Sequence, residues 1–400
     1  MKEFEIKSHE AGLKLDKYLS RVLSEAPKSF LYKMLRKKNI VLNDKKADGR
    51  ETLCKGDNIK IYFSDETFEK FSGGKLLSGS THPVSENIGF PKDPSENSFQ
   101  NVSVKDNDKK MNDSPGNEET VQGLNKNRSQ IAKNISKEKS RNQDSEKNAV
   151  LPEIIYEDSD ILILNKPSGM LSQKAVPSDY SANDFVLDYL LNSGQLTKED
   201  LYTFKPSICN RLDRNTSGIV AAGKSLAGLQ MLSGVFKDRS IHKYYQCLVS
   251  GEIRDVKTVD GWLLKDEKKN QVRILTDVEA KRFGGRGGDE EPKRIQTKYE
   301  PIATDGRFTL LKVTLLTGRS HQIRAHLASL GHPIVGDSKY GGVSKVNPSG
   351  RTVKYQLLHS YRLEFPKLAE PFAYLSGRVF EAPLPGYFGS VLKETGIRSP

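Results

Sequence analysis

The chain has 400 residues, 36% of them hydrophobic, and carries 63 Lys plus Arg against 51 Asp plus Glu, a formal charge of +12. That length exceeds one ordinary domain, and so small an apolar fraction leaves some stretch unpacked, so two domains and a linker are expected. The positive surplus fits a polyanionic partner, nucleic acid first. Cys54, Cys209 and Cys247 lie far apart with no C-x-x-C pair, which argues against a disulfide framework and a cysteine zinc site. The opening "MKEFEIKSHEAGLKLDKYL" has no apolar leader core, and no apolar run reaches spanning length, so a soluble cytoplasmic protein is expected.

Residues 1–66 read as a small domain. In "KLDKYLSRVLSEA" the apolar residues Leu15, Leu19, Val22 and Leu23 share one helical face, and Phe30, Leu31, Met34 and Leu35 repeat the pattern after Pro27. Ser29 suits the N-cap of that second helix. "NIVLND" and "GDNIKIYF" then read as short strands bounded by turns. Between Lys28 and Lys46 there are seven basic residues and one acidic residue, Asp44. Such a run on one helix is often a solvated face. Here Lys33, Arg36, Lys37 and Lys38 sit beside a hairpin that adds more lysines, which favours contact with backbone phosphates.

Residues 67–150 change character. They are rich in Asn, Ser, Lys, Asp and Glu, with too few apolar side chains to offset the entropy of ordering. A disordered polar linker is expected there.

From residue 151 to 400 strand-like runs return in "DILILNKP", "GIVAAGK", "YYQCLVSG" and "FTLLKVTLL", with helical segments in "AGLQMLSGVFKDR" and "SHQIRAHLASLG". Strands and helices mix without regular alternation, which predicts an α+β domain on a mixed, largely antiparallel sheet with flanking helices.

Chemistry concentrates in three stretches. In "NRLDRNTSGIVAAGK" a lone carboxylate, Asp213, stands between Arg211 and Arg214. Turn formers follow it, so an Asx-type turn is the simplest role. Two arginines and a rigid following strand favour a carboxylate kept ionised, suited to act as nucleophile or base. No second acidic residue stands in a comparable setting, since Asp238 reads as a helix-end residue. Two-carboxylate glycosidase chemistry is thereby disfavoured.

In "TGRSHQIRAHLASLGHPIVGDSKYGG" the histidines His321 and His326 are five apart, about 140° apart on a helix, which resists a zinc site. Arg319, Arg324 and Gln322 suit phosphate, base or carboxylate instead. In "SIHKYYQCLVSG" adjacent strand tyrosines face opposite sides, so one of Tyr244 and Tyr245 meets any cleft that is there. The glycine-rich run at 284–288 lacks the Lys-Ser/Thr of a phosphate-binding loop.

Together with "LNKPSGM" and "LLHSYRLEFP", these stretches occur in an order that resembles the RluA-type pseudouridine synthases. The resemblance is to the branch that modifies large-subunit ribosomal RNA and carries an N-terminal S4 RNA-binding domain. It covers residues 13–63 and 151 to about 385. It implies the pseudouridine synthase fold, Asp213 as catalytic aspartate, Tyr245 stacked on the target uracil and Arg324 paired with Asp213. Arg211 would enter the stack vacated by a flipped uridine. Arg214, Arg319, His321 and Gln322 would contact RNA, and no cofactor or metal would be needed. The family usually has His where this chain has Asn210, and the linker is longer than the family leads one to expect.

The expectation is thus a monomeric cytoplasmic RNA-uridine isomerase. Its partner would be large-subunit ribosomal RNA, with transfer RNA as the alternative and no membrane. A non-catalytic assembly factor on the same fold would show a degraded aspartate or tyrosine, and both are intact. Replacing Lys33, Arg36 and Lys37 with Ala should weaken RNA binding and make the log Kd against log salt slope shallower by about 2–3. Filter binding across a salt series checks this, and an unchanged slope would mean that the face points elsewhere.

Overall fold

The computed structural model of the chain describes residues 1–73, 150–266, 271–283, 291–347, 350 and 352–398. Nearly all of the expected linker, and the glycine-rich run 284–288, lie outside the described residues.

The N-terminal unit comprises β1 (Lys2–Glu5), α1 (Leu15–Val22), α2 (Lys28–Arg36), β2 (Ile40–Leu42), β3 (Lys45–Lys46), β4 (Asn58–Ile61) and α3 (Asp65–Ser72). Its four strands form an antiparallel sheet in the order β1-β4-β2-β3. The helical stripes predicted from spacing bury Leu15, Leu19, Leu31 and Leu35 against Ile40, Ile59 and Ile61. Two expectations are corrected. Helix α2 begins at Lys28, one residue before Ser29, because Pro27 (φ −58°) sets its entry without a side-chain cap. The unit also continues past residue 66. Ser64 caps α3 by accepting the Thr67 amide, Phe68 fills the same core, and Gly73 ends the helix at φ 65°.

The second unit is built on a sheet of eleven strands among the described residues. Its strands are β5 (Glu153–Glu157), β6 (Ile161–Lys166), β7 (Ser207–Ile208), β8 (Ser217–Gly223), β9 (His242–Ser250), β10 (Lys257–Asp266), β11 (Gln271–Leu275), β12 (Lys293–Thr304), β13 (Phe308–Leu315), β14 (Leu358–Glu364) and β15 (Val379–Glu381). The order is β11-β10-β12-β13-β9-β14-β8-β6-β5, with β7 on β8 and β15 on β14. Among the described residues only β8 and β14 pair in parallel, so the sheet is mixed and largely antiparallel, as the irregular alternation predicts.

Among the described residues six helices flank it: α4 (Ala182–Asn192), α5 (Asp200–Thr203), α6 (Leu226–Lys237), α7 (Asp277–Arg282), α8 (Gln322–Ser329) and α9 (Gly386–Thr395). The two-residue period of the strands sorts their side chains between layers. Leu162, Leu164, Val220 and Ala222 pack towards α4, while Ile161, Ile163, Ile219 and Ala221 pack towards α6. Both faces of β6 and β8 are therefore covered, which is why they read as unbroken apolar runs.

The units touch directly. Leu226 and Phe204 join the N-terminal core, and the Leu226 amide donates to the His9 carbonyl at 3.1 Å. Lys7 Nζ meets Asp200 Oδ1 at 2.6 Å, Glu10 accepts from Thr203 Oγ1, and Arg21 donates to the Thr203 carbonyl. Burial opposes charge on Asp200, yet Lys7 and the Thr197 amide hold its carboxyl below the usual carboxylate range. This seat lies at the start of α6. The twelve residues of that helix place it about 18 Å from the helix's other end.

The parallel pairing of β8 with β14 is held by unusual chemistry. Gly218 (φ +113°) lies so close to β14 that a Cβ would sit 2.2 Å from the Ser360 carbonyl oxygen. Beside it, buried His359 faces Ser217 Oγ through Nδ1 at 2.9 Å and the Ala382 carbonyl through Nε2 at 3.1 Å. The carbonyl fixes the proton on Nε2, so Nδ1 accepts from the serine. Burial pushes this imidazole down to about 4, so between pH 6.5 and 4 the unfolded chain takes a proton that the folded chain refuses. The contribution of His359 is therefore complete above pH 6.5 and is lost as pH falls towards 4, a change of about 3 kcal/mol. His359→Gln, whose amide can keep both hydrogen bonds, should flatten that part of the acid limb in denaturant titrations. An equally steep limb in the variant would assign it elsewhere.

Candidate active site

Asp213 lies in the loop between β7 and β8, and the loop is clamped from three sides. Within it, the Thr216 amide closes a main-chain turn onto the Asp213 carbonyl at 3.0 Å, which leaves the side chain out of the expected Asx-type turn and free to meet Arg324. From the side, Asn210 bridges to β8, accepting the Ala221 amide at 2.8 Å and donating to the Ile219 carbonyl at 3.1 Å. From below, the "LNKPSGM" stretch grips it. Ser172 Oγ donates to the Leu212 carbonyl and accepts the Leu212 amide, at 2.8 and 2.9 Å. Fully buried Lys166 places Nζ within 3.0 Å of the Pro167 carbonyl, 2.8 Å of that of Met170 and 3.2 Å of that of Arg214. Burial pulls this amine down to about 7 against the opposing pull of Asp213, while three carbonyls accept its protons.

The Asp213 carboxylate is held by Arg324, the third residue of α8. Arg324 Nη1 donates to Asp213 Oδ2 at 2.8 Å, and Nε and Nη2 donate to the two oxygens of Asp337 at 2.6 and 2.8 Å. Burial works against the guanidinium charge, but Asp337 and then Asp213 hold it above its ordinary range. The Tyr340 ring covers the guanidinium at 5.2 Å. Tyr340 accepts the Val272 amide at 3.0 Å, so its own hydrogen serves His321 Nδ1 at 2.9 Å. The remaining His321 proton then sits on Nε2, the nitrogen 3.9 Å from Asp213 Oδ2. Burial lowers this imidazole's pKa, opposed by the Asp213 charge. His321 itself has φ +54°, a left-handed backbone that only its packed surroundings sustain.

Above Asp213 opens a cleft of about 730 Å³. Among the described residues its walls carry eight Lys and Arg side chains, including Lys174, Arg211, Arg239, Lys243 and Arg319, against one acid, Asp213. Tyr245 forms part of the wall, and burial pushes its hydroxyl up to about 12, so it is a neutral phenol. Tyr244 takes the opposite face, between Lys312 and Arg362, as the strand period requires. A smaller cavity of about 330 Å³ shares Asp213 and Arg324 and carries Arg214, Lys339 and Lys354.

The structure thus brings Asp213, Tyr245, Arg324, Arg211, Arg319 and His321 to one cleft, and Arg214 to its neighbour. Lys33, Arg36, Lys37 and Lys38 are exposed on the N-terminal unit. Gln322 corrects the expectation of an RNA contact. It is buried, and its amide accepts from Thr317 Oγ1 and the Arg319 amide while donating to the Gln296 carbonyl and Thr297 Oγ1. No hydrogen-bonding capacity is left for a base, so it shapes the Arg319 loop instead. His326 is likewise buried against Thr297, and no cluster able to hold a metal occurs among the described residues. Sequence reading missed Lys166, Asp337 and Tyr340, although each lies in a stretch whose pattern stood out.

A mixed sheet that holds one salt-bridged carboxylate at the base of a cationic cleft defines an enzyme site for a polyanionic substrate. Residues 160–329 match the family described as RNA pseudouridylate synthase. A ribosomal large subunit pseudouridine synthase D of Borreliella burgdorferi is 34% identical over 215 residues, 53% of this chain and 60% of that protein. An uncharacterized RNA pseudouridine synthase of Chlorobaculum parvum is 32% identical over 260 residues, 60% of this chain and 73% of that one. A ribosomal large subunit pseudouridine synthase C of Rickettsia bellii is 27% identical over 386 residues, 94% of this chain and 96% of that one. Among solved structures, human RNA pseudouridylate synthase domain containing 4 aligns with 66% of this chain and 97% of that one, at 17% identity and a TM-score of 0.47. The chain belongs to the RNA pseudouridine synthase family.

Lys166→Met keeps the volume but strands three carbonyls under the Asp213 loop, which should cost about 3 kcal/mol. In thermal denaturation that is a Tm drop of roughly 6–12 °C. A Tm within a degree of wild type would show that the ammonium grip is dispensable.

Proposed function

We propose that the protein isomerises specific uridines in RNA to pseudouridine, with large-subunit ribosomal RNA as its substrate. One observation carries this reading: among the described residues, a single carboxylate, paired with Arg324, lies at the base of a cleft whose other charged walls are all cationic. Hydrolysis of a glycosidic bond by the ordinary route uses two carboxylates. One suffices when the detached base is rejoined to the same sugar.

In this reading the target uridine leaves the RNA stack and enters the cleft. Unstacking costs a few kcal/mol, offset by stacking on Tyr245 and by Arg211 filling the vacated space. The N1–C1′ bond breaks, the uracil turns, and a C5–C1′ bond forms. C5 then loses its proton and N1 carries one, so atoms and charge balance without a cofactor. Asp213 takes part in its ionised form, whether it attacks C1′ or removes the 2′ proton. The cationic walls bind flanking phosphates, and the S4-like N-terminal unit adds a second phosphate-binding face through Lys33, Arg36, Lys37 and Lys38. The names borne by the Borreliella and Rickettsia relatives support the ribosomal target.

Incubation with transcribed ribosomal RNA tritiated at uridine C5 tests the proposal. Wild type should release tritium, and Asp213→Asn should lower the rate by at least ~10³. Comparable release by both would remove Asp213 from the chemistry. Release by neither, on ribosomal and transfer RNA alike, would favour a non-catalytic role in ribosome assembly.

A further inference from the structure

Arg324 faces two carboxylates, and they are not treated alike. Asp337, 1% exposed, takes the side-on edge of the guanidinium through two hydrogen bonds, at 2.6 and 2.8 Å. Asp213 receives one, at 2.8 Å, on Oδ2. Among the described residues no side chain engages Asp213 Oδ1. Two parallel N–H donors bind a carboxylate more strongly than one. Without Asp337, the free side-on edge would turn to the remaining carboxylate and cover both of its oxygens.

We propose that Asp337 is a positioning residue that turns Arg324 so that Asp213 keeps one oxygen uncovered for the substrate. The inference rests on the reading of Asp213 as the reacting carboxylate. The turn that delivers Asp337 is suited to the task. The Asp337 amide donates to the Ile334 carbonyl at 3.0 Å, and the Tyr340 and Gly342 amides close back onto the Asp337 carbonyl at 3.2 and 2.8 Å. Before it, Gly336 (φ +80°) packs where a Cβ would lie 2.3 Å from the Tyr355 carbonyl oxygen. The carboxylate therefore has little freedom to follow the guanidinium, and the guanidinium must conform to it. A second effect acts in the same direction. One cation between two anions leaves the trio with net negative charge, so the reacting group is oriented without being fully neutralised.

The test is steady-state kinetics of tritium release for Asp337→Asn. A carboxamide offers one acceptor and turns an N–H against the guanidinium, so the fork loses its anchor. The expected result is a kcat lower by about 10²-fold, the usual cost of misplacing a reacting group by about 1 Å. KM for RNA should stay within about two-fold, since substrate binding is untouched. Arg324→Lys supplies the control that a purely structural role would not move. Lysine has no fork to orient, so adding Asp337→Asn to it should change kcat by less than about three-fold. Equal losses in both backgrounds, a wild-type kcat in Asp337→Asn, or a rise in KM alone would overturn the proposal.

Should Asp337→Asn not fold, Asp337→Glu keeps both acceptors but pushes the fork forward by a methylene. It should also lose kcat at constant KM, and wild-type turnover in it would overturn the proposal. Tritium release by wild type that is lost in Asp213→Asn upholds the underlying reading, and against that result an unaffected Asp337→Asn removes the positioning role alone. No release by wild type sinks both.

Discussion

One guanidinium shared between two carboxylates organises the site. Arg324 is nearly buried, and a cation there is sustained only by the anions it touches. Asp337 anchors it from the protein side, and Asp213 meets it from the cleft side. Everything around the trio keeps those three groups in place. Tyr340 roofs the guanidinium, His321 closes the gap beside it, and Gln322 and Thr317 shape the loop that leads into α8. Lys166, Ser172 and Asn210 do the corresponding work beneath Asp213. The sheet serves this arrangement. β8 follows directly from the aspartate loop and pairs with β14, which pairs with β9, the strand that carries Tyr245.

The cleft's electrostatics combine two scales. Over its whole width the walls are cationic, which concentrates a polyanion at the mouth. At its base, a few ångströms across, the balance reverses, because one arginine serves two carboxylates. In the proposed reading, a strand held by its phosphates at the rim would present its bases to a region of opposite sign.

Much of this was legible from local pattern. The two-residue strand period separated Tyr245 from Tyr244, and the apolar runs of β6, β8, β9 and β13 announced a buried sheet. Asp213 stood out because a lone acid among arginines and turn formers is unusual. What local pattern could not supply was partnership across distance. Asp337 looks like an ordinary turn aspartate until α8 is folded against it, and Lys166 looks like a surface lysine until the Asp213 loop closes over it. Gln322 misled for the opposite reason: an amide beside arginines reads as a base contact, but burial turns it inward. The helix Asp65–Ser72 was obscured by its polar composition, since only Phe68 and Ser72 are buried. The contact between the two units includes Lys7 and Asp200, 193 residues apart, and no periodicity signals it.

Asn210 stands where the sequence resemblance leads one to expect histidine. Its carboxamide gives one hydrogen and takes one, and so staples the aspartate loop to two successive rungs of the neighbouring strand edge. An imidazole could span the same gap only in its uncharged form, and its grip would loosen as it took up a proton. The amide has no such second state. This fastening is therefore indifferent to acidity, and the loop keeps its shape in media where a ring in the same place would begin to let go.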